Sequence, residues 1–151
     1  MNLEFKRFQG EYYSEYASWF VDLELNRQLG PMDNDWLEAV LSEPESEGFT
    51  WAVFRGAELV AVVEVIFGPN TQAPTVIASV AVRPDLRRQG LGTAVLQKIL
   101  SLGQIKGRVE HRAYVSFENQ AARRYMEKLG FVPVASIPDD HGYIEFRYGG
   151  T

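Results

Sequence analysis

Residues 80–93 read Val-Ala-Val-Arg-Pro-Asp-Leu-Arg-Arg-Gln-Gly-Leu-Gly-Thr, an apolar run that passes through a basic turn into two glycines. Val76, Ile77, Val80 and Val82 make the run β-branched, and behind it Leu91, Val95, Ile99 and Leu102 recur at helical spacing. The pattern predicts a strand, a glycine turn and a helix in succession. Glycines at Gly90 and Gly92 leave backbone amides unshielded at the positive end of that helix, which favours a bound anion. Arg83, Arg87 and Arg88 add cationic charge to the same turn. The alternative is a loop whose glycines only close a turn and whose arginines face solvent. A Walker loop needs a lysine ahead of Thr93, and a dinucleotide fold needs three glycines and an acid about twenty residues later; the chain has neither.

With 151 residues, 46% of them hydrophobic, the chain suits a single domain with a sizeable core. Its longest apolar run, residues 59–67, is interrupted by Glu64 and is far shorter than a membrane span of about 18 residues. Nothing at Met1 resembles a signal peptide, and cysteine is absent, so the expectation is a cytoplasmic protein without disulfides or thiolate chemistry. Only His111 and His141 could serve as imidazoles, and their spacing is not that of a metal helix, so no metal is expected. The absence of a Gly-x-Ser-x-Gly elbow argues against a serine hydrolase. Net charge is -5, divided unevenly: residues 1–50 hold eleven acids and three bases, the rest nine acids and twelve bases. A generally acidic protein repels nucleic acid, while a local basic mouth can still hold a small anionic ligand.

Residues 3–8 read as a strand, and Tyr12, Tyr16, Trp19, Phe20 and Leu23 form one amphipathic helical stripe. After Gly30-Pro31, Asp33 or Asn34 caps a second helix carrying Trp36, Leu37, Val40 and Leu41. Runs 49–55 and 58–67 flank Gly56-Ala57 as a hairpin, and 75–82 enters the glycine turn. The helix that follows extends to about Gly103. Residues 108–117 read as a strand and 119–129 as a helix ended by Gly130, and 131–137 with 143–148 make a closing antiparallel pair. The plan is α/β, with one mixed central sheet and helices on both faces.

This order of elements, the Arg87-x-x-Gly90-x-Gly92 turn, and the later Asn119-x-x-Ala122 ending in Leu129-Gly130-Phe131 resemble the GNAT superfamily of acyl-CoA-dependent N-acyltransferases over almost the full chain. The resemblance implies a GNAT-like sheet of six to seven strands with splayed strands at the acyl-CoA site. It further implies that acetyl-CoA, as co-substrate, lays its pyrophosphate on the amides of Arg88, Gln89, Gly90, Leu91, Gly92 and Thr93, with Arg87 at the head of the motif. Its pantetheine arm would bond the main chain of Val80, Ala81 and Val82 and touch Asn119. Family members often carry a tyrosine four residues before the Gly-Phe pair that protonates the departing thiolate. That position here is Met126, with Tyr125 beside it, and one residue turns a helix by about 100°. Tyr125 is therefore either the acid or part of a core stripe with Ala122, Met126 and Leu129.

A thioester carbonyl attacked by an amine needs an oxyanion donor, for which a backbone N–H at or near Val82 is the candidate. The attacking amine must lose a proton. Glu64 is the candidate base, or else a residue on the solvent face of its strand; His111 is a weaker one, read as a strand-end surface residue. A glutamate that some family members place five residues before the asparagine is replaced by Tyr114. The resemblance assigns the acceptor wall to Asp33, Asp35, Glu38, Asp139 and Asp140. The expected partners are a small-molecule or peptide amine and a second copy in a homodimer, with neither nucleic acid nor membrane. Two classes stay open: an N-acyltransferase, and an acyl-CoA-binding domain that regulates without turnover.

Overall fold

The computed structural model describes residues 2–67, 72–102, 105, 107, 108 and 110–149. Seven strands form one sheet in the order β1-β2-β3-β4-β5-β7-β6. Strands β1 (Glu4–Arg7), β2 (Gly48–Arg55), β3 (Glu58–Ile66) and β4 (Thr75–Val82) pair antiparallel with one another in succession. β5 (Glu110–Ser116) is parallel to β4, and β7 (Tyr143–Gly149) returns antiparallel between β5 and the two-residue β6 (Val132–Pro133). The mixed sheet and the hairpin at Gly56-Ala57, where Gly56 takes φ 64°, match the sequence reading. The end of the fourth helix at Gly103 falls outside the described residues.

Helices cover both faces. On one lie α1 (Tyr13–Ser18), α2 (Leu23–Leu29) and α3 (Asn34–Leu41), whose Tyr16, Leu25 and Val40, with Trp19 between α1 and α2, pack on Ala52, Val62 and Ala81. On the other lie α4 (Leu91–Ser101) and α5 (Gln120–Lys128), whose Leu91, Val95, Ile99 and Met126 pack on Val63, Val65, Ile77 and Ala113. β3 is therefore covered on both sides, with Val60, Ala61, Val63 and Val65 at 0% exposure, which is why its sequence shows no alternation.

The single helix expected across Tyr12 to Leu23 is broken. Short 3-10 turns at Gly10–Tyr12 and Trp19–Val21 flank α1, and Asp22 is extended, with φ -69° and ψ 122°. Its carboxylate accepts from Leu25 N at 2.9 Å, so Asp22 ends one helical stretch by capping the next. The closing pair is also shorter than read: of 131–137, only Val132–Pro133 forms strand β6, and Val134 N adds one bond to Glu145 O of β7 at 3.0 Å.

Candidate active site

β4 and β5 pair over only Thr75–Ile77 against His111–Ala113. A register shift at Glu64/Val65 leaves Ala78 as an extra residue in β4, and beyond it the two strands separate. The gap opens into a cleft of about 1180 Å³, walled by Val80, Ala81 and Val82 on one side and Tyr114, Val115, Ser116 and Asn119 on the other. In β4 the Arg83 amide donates to Val60 O at 2.9 Å, and antiparallel alternation then makes Ala81 face β3 with its main chain. The N–H and C=O groups of Val80 and Val82 consequently point away from β3, toward the gap.

At the head of the cleft the glycine turn begins α4. Gly90 sits at φ 79° and Arg88 at φ 65°, so two residues of the turn are left-handed; for arginine this costs roughly 1–2 kcal/mol. Asp22, Asp33 and Asn119 each cap their helix with a side-chain oxygen, but no side chain caps α4. The amides of Leu91, Gly92 and Thr93 have no intrahelical acceptor and stand at the positive end of the helix dipole. A Cβ on Gly90 would meet nothing within 4 Å, whereas one on Gly92 would lie 2.9 Å from the Tyr125 hydroxyl. These open amides, with a cation beside them, fit a pyrophosphate.

The three arginines are not equivalent, contrary to the sequence reading. Arg83 turns out of the cleft to Asp85, 2.7 Å away, and approaches Glu58 at 3.9 Å. Arg87 lines the cleft but grips Asp22 with both nitrogens, at 3.2 and 2.7 Å, and that bond holds the Asp22 carboxyl below its usual range. Arg88 has no ion-pair partner among the described residues and is the free cation of the mouth. Gln89 is exposed and stands outside the lining.

Tyr125, weighed as the acid, and Met126, expected beside the cofactor, both reach the cleft wall. Met126 is 3% exposed and belongs to the core cluster. The Tyr125 hydroxyl is buried without a partner among the described residues, and burial pushes its pKa well above the ordinary phenol value. Asn119 Oδ1 accepts from Ala122 N at 3.0 Å, which leaves its amide NH₂ available. Glu64, in contrast, lies outside the cleft lining, where its Oε1 accepts from Trp36 Nε1 at 3.0 Å. Glu43 is close enough for the Glu64 charge to add to burial in raising its pKa. His111 is not a surface residue: it is 3% exposed within the sheet, where desolvation and then Arg108 lower its pKa. Of the acids expected to wall the acceptor site, Asp139 reaches the cleft, while Asp33, Asp35, Glu38 and Asp140 stand outside its lining. The sequence reading missed Glu24 and Gln28 of α2, and His141 and Tyr143 opposite them. None of these carries a spacing signal.

The profile of the acetyltransferase (GNAT) family matches residues 8–131. The chain belongs to the GNAT acetyltransferase family. Among curated proteins none matches the sequence. The GNAT fold is reproduced by an acetyltransferase from Thermus thermophilus at TM-score 0.81 and 16% identity, over 99% of this chain and 97% of that one. The ribosomal-protein-S18-alanine N-acetyltransferase of Escherichia coli aligns at TM-score 0.73 and 17% identity, over 99% and 95%. The PaiA N-acetyltransferase of Thermoplasma acidophilum, solved with coenzyme A, aligns at 0.71 and 15%, over 99% of both. Among the described residues of this GNAT chain, no helix is long and apolar enough to cross a membrane. No group of three or more His, Cys, Asp or Glu residues there could hold a metal ion.

Proposed function

We propose that this GNAT chain transfers an acetyl or short acyl group from acetyl-CoA to a primary amine by direct attack, without an acyl-enzyme. The observation that carries this reading is the uncapped N-terminus of α4, open to the cleft beside the unpaired Arg88. Bound acetyl-CoA supplies an activated thioester carbonyl. The amides of Leu91, Gly92 and Thr93 and the Arg88 guanidinium hold the pyrophosphate, and Arg87, fixed by Asp22, orients the turn that carries Gln89 and Gly90. Main-chain groups of Val80 and Val82 hold the pantetheine arm with Ala81 keeping them in register, and the Asn119 amide and Met126 line its path. Val82 N–H is the donor that meets negative charge developing on the carbonyl oxygen.

Tyr125 acts as a hydrogen-bond donor near the leaving sulfur. Its raised pKa makes full proton transfer to a thiolate, with a reference value of about 8.5, unfavourable. Glu24 and Asp139 place negative charge at the acceptor end, which suits a small-molecule or peptide ammonium. Glu64, a strand away and paired with Ser79, serves as base only through a relay past that serine.

A thermal-shift titration tests the reading. Acetyl-CoA at about 100 times its Kd stabilises by roughly 2.7 kcal/mol, and Gly90→Asp, which places a carboxylate in the cradle, abolishes the shift. An unchanged Tm with acetyl-CoA overturns it. Thiol release with a panel of amines then reports turnover and separates an enzyme from a silent binding domain.

A further inference from the structure

The cleft holds a titratable group that the proposed chemistry has not used. His141 lies in the turn between β6 and β7 and lines the cleft together with Val80, Val82 and Asn119. The turn is built rigidly: Asp139 Oδ1 accepts from the amides of His141 and Tyr143, both at 2.9 Å, and Gly142 at φ 84° closes it. Phe117 N donates to Gly142 O at 2.9 Å, and Tyr143 pairs with Ser116. These bonds fasten the His141 turn to the end of β5, next to Asn119, where the strands have parted.

Direct proton acceptors in this cleft can be eliminated one by one. The Glu24 carboxylate is engaged by Gln28 and Arg27, at 2.9 and 2.8 Å, and those bonds lower its pKa and weaken it as a base. Asp139 Oδ1 accepts from two backbone amides, which lower the pKa of its carboxyl and weaken it as a base. Tyr114 donates to Glu145 at 3.1 Å, and burial, then that bond, raise its pKa. Tyr125 and Tyr143 offer hydroxyls as donors, and Arg87 and Arg88 are permanent cations. Glu64 is bonded to Trp36 outside the lining. The imidazole of His141 accepts no hydrogen bond among the described residues.

We propose that His141 takes the proton of the acceptor nitrogen, directly or through one water, and so is a catalytic residue of this acyl transfer. The proposal rests on the acyltransferase reading above. The acceptor attacks as the free amine, its ammonium proton having passed to solvent; as the nitrogen bonds to the carbonyl carbon it becomes strongly acidic, and its remaining excess N–H proton passes to an imidazole nitrogen. The C–S bond then breaks with its electron pair on sulfur, the thiolate leaves, and the imidazolium returns its proton to the thiolate or to solvent. The charged groups that line the cleft with His141 are Asp139 on its own turn, Glu24 on α2, and Arg87 and Arg88 on the glycine turn; Tyr114 of β5, Tyr125 of α5 and Tyr143 of β7 are its phenols.

Steady-state acetylation of an alanyl peptide, lysine and spermidine with acetyl-CoA, followed from about pH 5 to 9, tests the assignment. His141→Ala should lower kcat on the order of 10²- to 10⁴-fold and remove the acidic limb of the profile. Added imidazole should restore part of the rate, and the acetyl-CoA thermal shift should stay as in the unaltered protein. An unchanged kcat and acidic limb in His141→Ala overturn the proposal, as does an acidic limb that disappears in Glu64→Gln and persists in His141→Ala. Absence of the thermal shift in the unaltered protein would instead sink the acyltransferase reading itself.

Discussion

Tyr125 shows how one hydroxyl can be both a cost and a resource. Its oxygen is buried beneath Gly92 without a hydrogen-bond partner, an arrangement that costs about 1–3 kcal/mol in a folded protein. Tyr125→Phe is therefore expected to unfold at an equal or higher temperature in the absence of ligand. If the hydroxyl gives one hydrogen bond near the leaving sulfur, kcat should fall by about tenfold, the size of one bond of roughly 1.4 kcal/mol. A fall of 10²-fold or more would mark Tyr125 as a true proton donor. The two readouts move in opposite directions, so scanning calorimetry and kinetics on this single variant separate packing from catalysis.

Helix α5 carries a similar double role at its N-cap. Asn119 caps the helix through Oδ1 while its nitrogen is available to the cleft. Asn119→Ala should cost about 1 kcal/mol in denaturant unfolding and weaken acetyl-CoA binding together. Asn119→Asp retains the cap, replaces the donor by a second acceptor, and should weaken binding at nearly full stability. Helix ends were legible in the sequence where a capping side chain sits in front of an apolar stripe, as at Asp33 and Asn119. Asp22 was not, because Tyr12, Tyr16, Trp19 and Leu23 keep helical spacing straight through the break. The strand, turn and helix of residues 80–93 were legible because glycines, charge and periodicity agree there. His141 was not, since a lone histidine in a turn becomes meaningful only once β5 and β7 bring it to the gap. His111 could have been found by alternation: His111, Ala113 and Val115 share one face of β5, and Arg112 and Tyr114 share the other.

At the scale of the whole molecule, that buried histidine couples folding to acidity. His111 and Thr75 are register partners across β4 and β5, and among the described residues His111 Nδ1 and Thr75 Oγ1 both lack hydrogen-bond partners. Because burial holds the folded pKa below the ordinary imidazole value of about 6.5, the unfolded chain binds the proton more readily. This contribution to stability is complete above about pH 6.5 and is lost as pH falls from there toward the depressed folded value. Urea midpoints measured across that window should decline with acidity and flatten in His111→Gln.

Distant parts of the chain also meet at the nucleotide end, where Asp22 holds Arg87 from 65 residues away. During synthesis the first helices emerge long before the glycine turn, so the anion mouth matures only when the later segment docks onto the earlier one. Because Asp22 both caps α2 and holds Arg87, substitutions that shift the start of α2 should change the apparent KM for acetyl-CoA, which steady-state kinetics on such variants would check.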